Sequence, residues 1–291
     1  MKILVTGGAG FIGSHLVDAL IELGHEVIVI DNLSTGKVEN INPKANFFKL
    51  DICNFEHIRY LFKGVDYVFH LAAMARIQPS IVDPSETMLN NVMGTTNVLI
   101  AARDAKVKKV IYSASSSSYG DQETFPLTED MKGDFKSPYS LSKYVGEELC
   151  QMFSKLYGLD TVSLRYFNVY GKRQLTEGAY ATVLGIFMKQ VKGGEPMTIV
   201  GDGEIRRDFT HVSDVVHANL LAMEKGTGVI NIGTGVNYSV NEVAKLVGGD
   251  WVYIPARPGE SRITLADNSK ARLLLDWKPT ISFEEGIKLC Q

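Results

Sequence analysis

The sequence has no CxxC pair, no HExxH and no group of cysteines and histidines at metal-ligand spacing. Its three cysteines, Cys53, Cys150 and Cys290, are scattered and odd in number. They read as reduced thiols rather than a disulfide frame or a redox pair, and no metal site is expected. Charge of either sign is not in excess: the formal net charge is −3 over 291 residues. That leaves no electrostatic case for nucleic acid or for an anionic membrane surface. No apolar run approaches the length of a membrane span. No apolar leader is expected either, since Met1-Lys2-Ile3-Leu4-Val5-Thr6 runs straight into Gly7-Gly8. Low-complexity tracts, charge blocks and internal repeats are missing too. These absences predict a cytoplasmic globular protein, and a chain this long needs no disulfide staples.

What is present is a pattern. Short β-branched runs alternate with longer helical stretches through the first half. Ile3-Leu4-Val5, Val27-Ile28-Val29-Ile30, Phe47-Phe48-Lys49-Leu50, Tyr67-Val68-Phe69, Val110-Ile111-Tyr112 and Val162-Ser163-Leu164-Arg165 are the strand candidates. Helical patterns lie between them, through Leu16, Leu20 and Leu23, near 55–63 and near 86–105. Strand–helix alternation of this kind predicts βαβ units and a parallel sheet, and continuously apolar strands predict cover on both faces. Ser137-Pro138 supplies an N-cap and a first-turn proline for a long helix. Leu141, Val145, Leu149, Met152 and Leu156 are expected to be its buried face, and Gly158 its end. Beyond about residue 166 the pattern is broken by Lys192-Gly193-Gly194-Glu195-Pro196 and Gly201-Asp202-Gly203. The expected architecture is α/β: a doubly wound parallel-sheet Rossmann domain over 1–165, then a smaller C-terminal α/β substrate-binding domain over 166–291, with segments returning to the first.

Gly7-Gly8-Ala9-Gly10-Phe11-Ile12-Gly13 stands between the first strand and the first helix. There Gly7 can turn sharply, Gly10 lets backbone approach a pyrophosphate, and Gly13 lets the helix pack closely. The helix start then offers free N–H groups and a positive dipole end to phosphates. A glycine triplet alone is weak evidence, but its strand–turn–helix context is the one a dinucleotide site requires. Asp31 closes the second strand, near the expected acidic position. A carboxylate there can accept both ribose hydroxyls of NAD and would repel a 2′-phosphate; it could otherwise merely cap a turn. Asn32 and Leu33 follow it, with no adjacent arginine. NAD is therefore expected over NADP.

Further motifs run nearly end to end: Asp51-Ile52, His70-Leu71-Ala72-Ala73, Asn91-Val92-Met93-Gly94-Thr95, Tyr112 to Gly120, Tyr139-Ser140-Leu141-Ser142-Lys143, Arg165-Tyr166-Phe167-Asn168, Arg207-Asp208-Phe209-Thr210-His211-Val212 and Arg257-Pro258-Gly259-Glu260. With them the chain resembles the extended short-chain dehydrogenase/reductases, most of all the UDP-glucose (UDP-galactose) 4-epimerases. The resemblance implies a cofactor site made of Gly7, Gly10, Phe11, Ile12, Gly13, Asp31, Asn32, Asp51, Ile52, Leu71, Ala72, Ala73, Asn91, Ser113, Tyr139, Lys143 and Tyr166. It implies catalysis by Ser115, Tyr139 and Lys143, and sugar-nucleotide contacts from Ser115, Tyr139, Asn168, Arg207, Arg257 and Glu260.

On a helix, Tyr139 and Lys143 lie one turn apart on one face. An ammonium beside a phenol favours phenolate and lowers its pKa from about 10, which would make Tyr139 a general base. Counting back from Gly120 puts Ser115 at the family's catalytic hydroxyl, with Ser116 and Ser117 as alternatives. Arginines suit a diphosphate through paired charge-assisted hydrogen bonds.

The implied reaction is 4-epimerisation of a UDP-hexose through transient oxidation at C4, with NAD retained. The related 4,6-dehydratases carry an Asp-Glu pair where this chain has Ser116 and Ser117, because elimination needs its own acid and base. Other sugar-nucleotide epimerases, 4-keto-sugar reductases and a non-catalytic NAD-binding regulator remain alternatives. Two departures stand out: the family's cofactor-contacting lysine is replaced by Ala75, and the position that gates N-acetyl sugars aligns with Thr264. The small Thr264 predicts some turnover of UDP-GlcNAc. The resemblance also implies a homodimer through the helices around 87–104 and 138–157.

Overall fold

The computed structural model describes residues 1–176, 178, 181–256 and 261–290. Alternation along each strand decides which layer a side chain fills. In β1 (Lys2–Thr6), Ile3 and Val5 enter one layer and Leu4 the other; in β2 (Glu26–Asp31), Val27 and Val29 oppose Ile28 and Ile30. All are buried, so the sheet is covered on both faces as its apolar runs predict. β3 (Asn46–Lys49), β4 (Tyr67–His70), β5 (Lys109–Ser115) and β6 (Asp160–Tyr166) follow. After them come β7 (Val169–Tyr170), β8 (Met197–Val200), β9 (Arg206–Asp208), β10 (Thr210–His211), β11 (Gly228–Ile232), β12 (Asn237–Ser239) and β13 (Trp251–Ile254).

The main sheet is parallel, in the order β11-β6-β5-β4-β1-β2-β3. The chain winds outward in both directions from β1 and β4, and a ligand crevice belongs at that switch point. On one face pack α1 (Phe11–Glu22) and later helices; on the other, α2 (Phe55–Ile58), α3 (Ile77–Val82), α4 (Pro84–Met88), α5 (Gly94–Asp104) and α6 (Pro138–Tyr157) continue the chain. The first layer holds Leu16 and Leu20, the second Val98, Leu99 and Phe153. A π-turn, Leu89–Met93, joins α4 to α5.

Beyond residue 166 come α7 (Val183–Lys192), α8 (Val212–Glu224), α9 (Val240–Val247), α10 (Ser269–Leu275) and α11 (Phe283–Cys290). This part serves two bodies. β11 extends the main sheet, and Val215, Leu275 and Trp277 fill its first layer. Leu184, Phe187, Met197, Ile199, Val243 and Phe283 instead form a separate small core, with β8 paired to β13.

The long helix begins as expected. Ser137 accepts from Ser140 N, Ser140 Oγ accepts from Ser137 N, Pro138 follows the cap, and Gly158 closes it at φ +68°. Its buried face corrects the sequence reading. Ser142, Lys143, Gly146, Glu147, Cys150 and Phe153 face inward, whereas Leu141, Met152 and Leu156 are exposed and Val145 and Leu149 only half-buried. The cause is close packing. A Cβ on Gly146 would lie 2.1 Å from the Tyr112 hydroxyl, so small and polar residues face the sheet and the apolar stripe is turned outward.

Candidate active site

The glycine turn is built by backbone contacts that leave no room for side chains. Gly7 has φ +72°, and a Cβ there would meet Ala72 N at 2.7 Å. A Cβ on Gly13 would lie 2.1 Å from Gly7 O. α1 therefore starts hard against the turn, with Gly10 as an N-cap that gives no side-chain bond. Its first N–H groups point out of the helix end, where phosphate oxygens are favoured. Asp31 braces the turn: Oδ2 accepts from Ala9 N at 3.0 Å and Oδ1 from Leu33 N at 2.8 Å. Burial raises the Asp31 carboxyl above its usual range, and those two bonds pull it back. Asp51 lies alongside; burial pushes it up, but bonds from Cys53 N and Asn32 Nδ2 outweigh this and leave it low. A backbone cradle that any Cβ would fill, an open helix end and a carboxylate at the next strand end together fit a dinucleotide.

From this turn one cleft of about 520 Å³ runs across the ends of the sheet. Gly7, Gly10, Phe11, Ile12, Gly13, Asp31, Asn32, Ile52, Leu71, Ala72, Ala73, Ser113, Ser115, Tyr139, Lys143, Tyr166, Asn168 and Arg207 all line it. Two expected contacts, Asp51 and Asn91, stand behind this wall rather than in it. Asp51 holds Asn32. Asn91 sits in the π-turn, a feature often found at functional sites, and brackets Met74: Oδ1 accepts from Met74 N at 2.8 Å and Nδ2 donates to Met74 O at 3.0 Å. Nδ2 also donates to Ser142 Oγ, which donates to Tyr139 O. The loop after β4 and the first turn of α6 are thereby tied together. Arg257 and Glu260 lie outside the described residues.

At the middle of the cleft, β5 ends on Ser115. Its Oγ accepts from Ser117 N at 3.2 Å, and Ser115, Ser116, Ser117 and Tyr139 all line the cleft; of the three serines, Ser115 is the one that pulls the Tyr139 phenol down. The expectation for Lys143 needs correction. Burial raises the Tyr139 phenol, and what pulls it back is the neighbouring Ser115 hydroxyl and the charge of Arg76. Lys143 Nζ instead donates to Ser113 O at 2.7 Å and lies 4.9 Å over the Tyr112 ring. A buried ammonium must place its protons, and the carbonyl at the strand end is in reach. Burial lowers Lys143 to about 8.

The far wall comes from the small core. Asn168, at φ +30°, donates to Asp208 O and to Thr264 Oγ1. Arg207 donates from Nη1 to Arg206 O at 3.0 Å and faces the same space. Arg76, Lys37 and Asn40 also line the cleft and were not expected. Asn40 Nδ2 donates to Ala9 O at 3.1 Å, a long-range bond with no sequence signature. Arg76, beside the noted Ala75, was the legible one. No candidate metal cluster occurs among the described residues, and no described helix is long and apolar enough to cross a membrane.

Residues 3–233 match the NAD dependent epimerase/dehydratase family. A relative from Methanocaldococcus jannaschii, named a putative UDP-glucose 4-epimerase, is 42% identical over 98% of this chain and 96% of its own. The UDP-glucose 4-epimerase of Thermotoga maritima, solved with UDP-glucose, superposes with a TM-score of 0.97 at 45% identity, covering 100% of this chain and 97% of that one. The Thermus thermophilus enzyme of the same name, solved with NAD, gives 0.94 at 36%, covering 100% and 97%. A UDP-N-acetylglucosamine 4-epimerase from Methanobrevibacter ruminantium gives 0.94 at 38%, covering 99% and 96%. The cleft, its glycine cradle and these likenesses agree: the chain belongs to the NAD-dependent epimerase/dehydratase family of sugar-nucleotide enzymes.

Proposed function

We propose that the protein interconverts UDP-glucose and UDP-galactose by epimerisation at C4. The carrying observation is the single cleft that joins the glycine cradle, the Ser115–Tyr139 pair and the Asn168–Arg207 wall. Bound NAD supplies the hydride acceptor and donor at the sugar carbon. Gly7, Gly10 and Gly13 would admit its phosphates, Asp31 and Asn32 would hold its adenosine ribose, and Lys143 and Tyr166 would hold its nicotinamide end. Tyr139 takes the proton of the 4-hydroxyl and later returns it. Ser115 donates to the sugar oxygen and keeps it against Tyr139. Arg207 meets the diphosphate, so that the sugar is held by its nucleotide end and can turn between the two half-reactions. Ser116 and Ser117 offer no acid for elimination, which separates this reading from dehydration. UDP-galactose deuterated at C4 tests it: the label is expected to stay in the UDP-glucose formed, and its loss to solvent would contradict the mechanism.

A second reading has its own observation. Thr264 lines the cleft, is small, and its hydroxyl already accepts from Asn168 Nδ2 and Asp208 N. Space beside it suits an acetamido group, so UDP-GlcNAc turnover is expected beside the main activity. Thr264→Tyr should abolish that turnover and spare UDP-galactose.

The protein is also proposed to be a homodimer. Leu141, Met152 and Leu156 on α6 and Leu89 and Met93 on the adjoining π-turn are exposed, and they lie on the helices through which the family resemblance implies self-association.

A further inference from the structure

Below Tyr139 the inward face of α6 carries Lys143 and then Glu147, one turn on. Glu147 is fully buried and Arg165, on β6, nearly so. Arg165 forks onto the carboxylate, Nε to Oε1 at 2.9 Å and Nη2 to Oε2 at 2.6 Å. Its guanidinium lies 4.6 Å over the Tyr119 ring, while Nη1 has no hydrogen-bond partner. Arg165 pairs in register with Ala114, between Ser113, whose carbonyl holds Lys143, and Ser115. A buried ion pair is a poor way to gain stability, since apolar side chains of similar volume do as well. One spanning the base-bearing helix and the strand beside its partner serine calls for another account.

We propose that Glu147 and Arg165 are positioning residues for Lys143: the pair fixes the depth of α6 against β5 and β6 and keeps a carboxylate facing the buried ammonium, so that Lys143 stays charged while the active site works. The inference rests on the role proposed for Lys143 above. Other groups face Lys143. His70 comes from β4, Tyr112 and the Ser113 carbonyl from β5, and Cys150 from α6 itself. Glu147 is the carboxylate among them and favours the ammonium, against burial, which lowers Lys143 to about 8. Burial also pushes Glu147 up, and the Arg165 fork pulls it back; without Arg165 the carboxyl would take a proton and cease to serve Lys143.

The test is NADH binding, followed by fluorescence from pH 6 to 10, together with the pH profile of kcat on UDP-galactose. In the wild type both should weaken as Lys143 loses its proton. Glu147→Gln should move that midpoint down by about one pH unit, so that at pH 8 binding is up to about tenfold weaker than wild type while at pH 6 the two agree. The paired change Glu147→Leu with Arg165→Met replaces the ions by apolar volume and should keep the thermal midpoint yet show the same displaced profile. Arg165→Lys, which preserves both charges, should keep the wild-type midpoint. A wild-type profile in Glu147→Gln or in the apolar pair, or a displaced one in Arg165→Lys, overturns the proposal. Lys143→Met separates the two readings: if it leaves the alkaline limb of NADH binding in place, the role given to Lys143 fails first.

Discussion

At the scale of single residues, the account turns on which proton each group holds. Tyr139→Phe removes the base and should lower kcat by about 10³-fold, within the span of general acid–base catalysis, with little change in KM. Ser115→Ala removes one donor to the sugar oxygen and should cost about 10²-fold in kcat. Stopped-flow and steady-state assays on UDP-galactose read both. His70 gives a pH prediction. Its Nδ1 meets Thr6 Oγ1 at 2.7 Å and its Nε2 Thr95 Oγ1 at 2.9 Å. Burial lowers it to about 3, and the Lys143 charge lowers it further. Between about pH 6.5 and 3 the unfolded chain therefore binds a proton that the native chain does not. Stability is expected to fall through that window as pH drops, with His70 adding about 1.4 kcal/mol per pH unit to the slope. Urea unfolding of His70→Gln should lack that part of the slope; an unchanged slope would show that His70 is not held neutral. At this scale the residues that line the cleft were largely legible, because they fall in motifs of fixed spacing. Asn91 and Asp51 were legible by position but not by what they touch: both act on neighbouring backbone or side chains behind the cleft wall.

At the scale of elements, the glycine turn makes the sharpest prediction. A Cβ on Gly13 would press on Gly7 O, a backbone atom with nowhere to move. Gly13→Ala should lower stability by about 1–3 kcal/mol, the range for overpacking, and weaken NAD binding more than Gly193→Ala, where φ is −81° and a Cβ would meet nothing closer than 3.4 Å. Calorimetry and NADH fluorescence measure the two effects. The six strands expected in the first half form where their β-branched runs predict. β11 was missed, although Gly228 and Gly233 bracket Val229-Ile230-Asn231-Ile232; four residues beyond an irregular stretch carry too little period to stand out. α6 shows a deeper limit. Its ends were readable from Ser137, Pro138 and Gly158 because caps are local chemistry. Its buried face was not, because the sheet side is taken by the chemical groups and by the close approach at Gly146, which displace the apolar residues that periodicity alone would turn inward.

At the scale of the whole molecule, that outward apolar stripe argues for a second copy. Leu156 is 67% exposed, and a row of such residues is costly to leave in water. Met152→Glu with Leu156→Glu should convert a dimer to monomers in sedimentation experiments while leaving the far-ultraviolet dichroism unchanged; a wild type that sediments as a monomer would remove the proposal. The fold class was readable at this scale from strand–helix alternation. Segments returning to the first domain were expected, but not which ones: that β11, α8 and α10 are those segments is settled by contacts far apart in the chain. The central claim is that this cleft epimerises a UDP-hexose with Tyr139 as its base. Purified protein incubated with UDP-galactose and no added reductant tests it most directly, by chromatography of the nucleotide sugars. The account predicts UDP-glucose accumulating to an equilibrium mixture, and none in Tyr139→Phe. No conversion by wild type that binds NAD, or undiminished conversion by Tyr139→Phe, would contradict it.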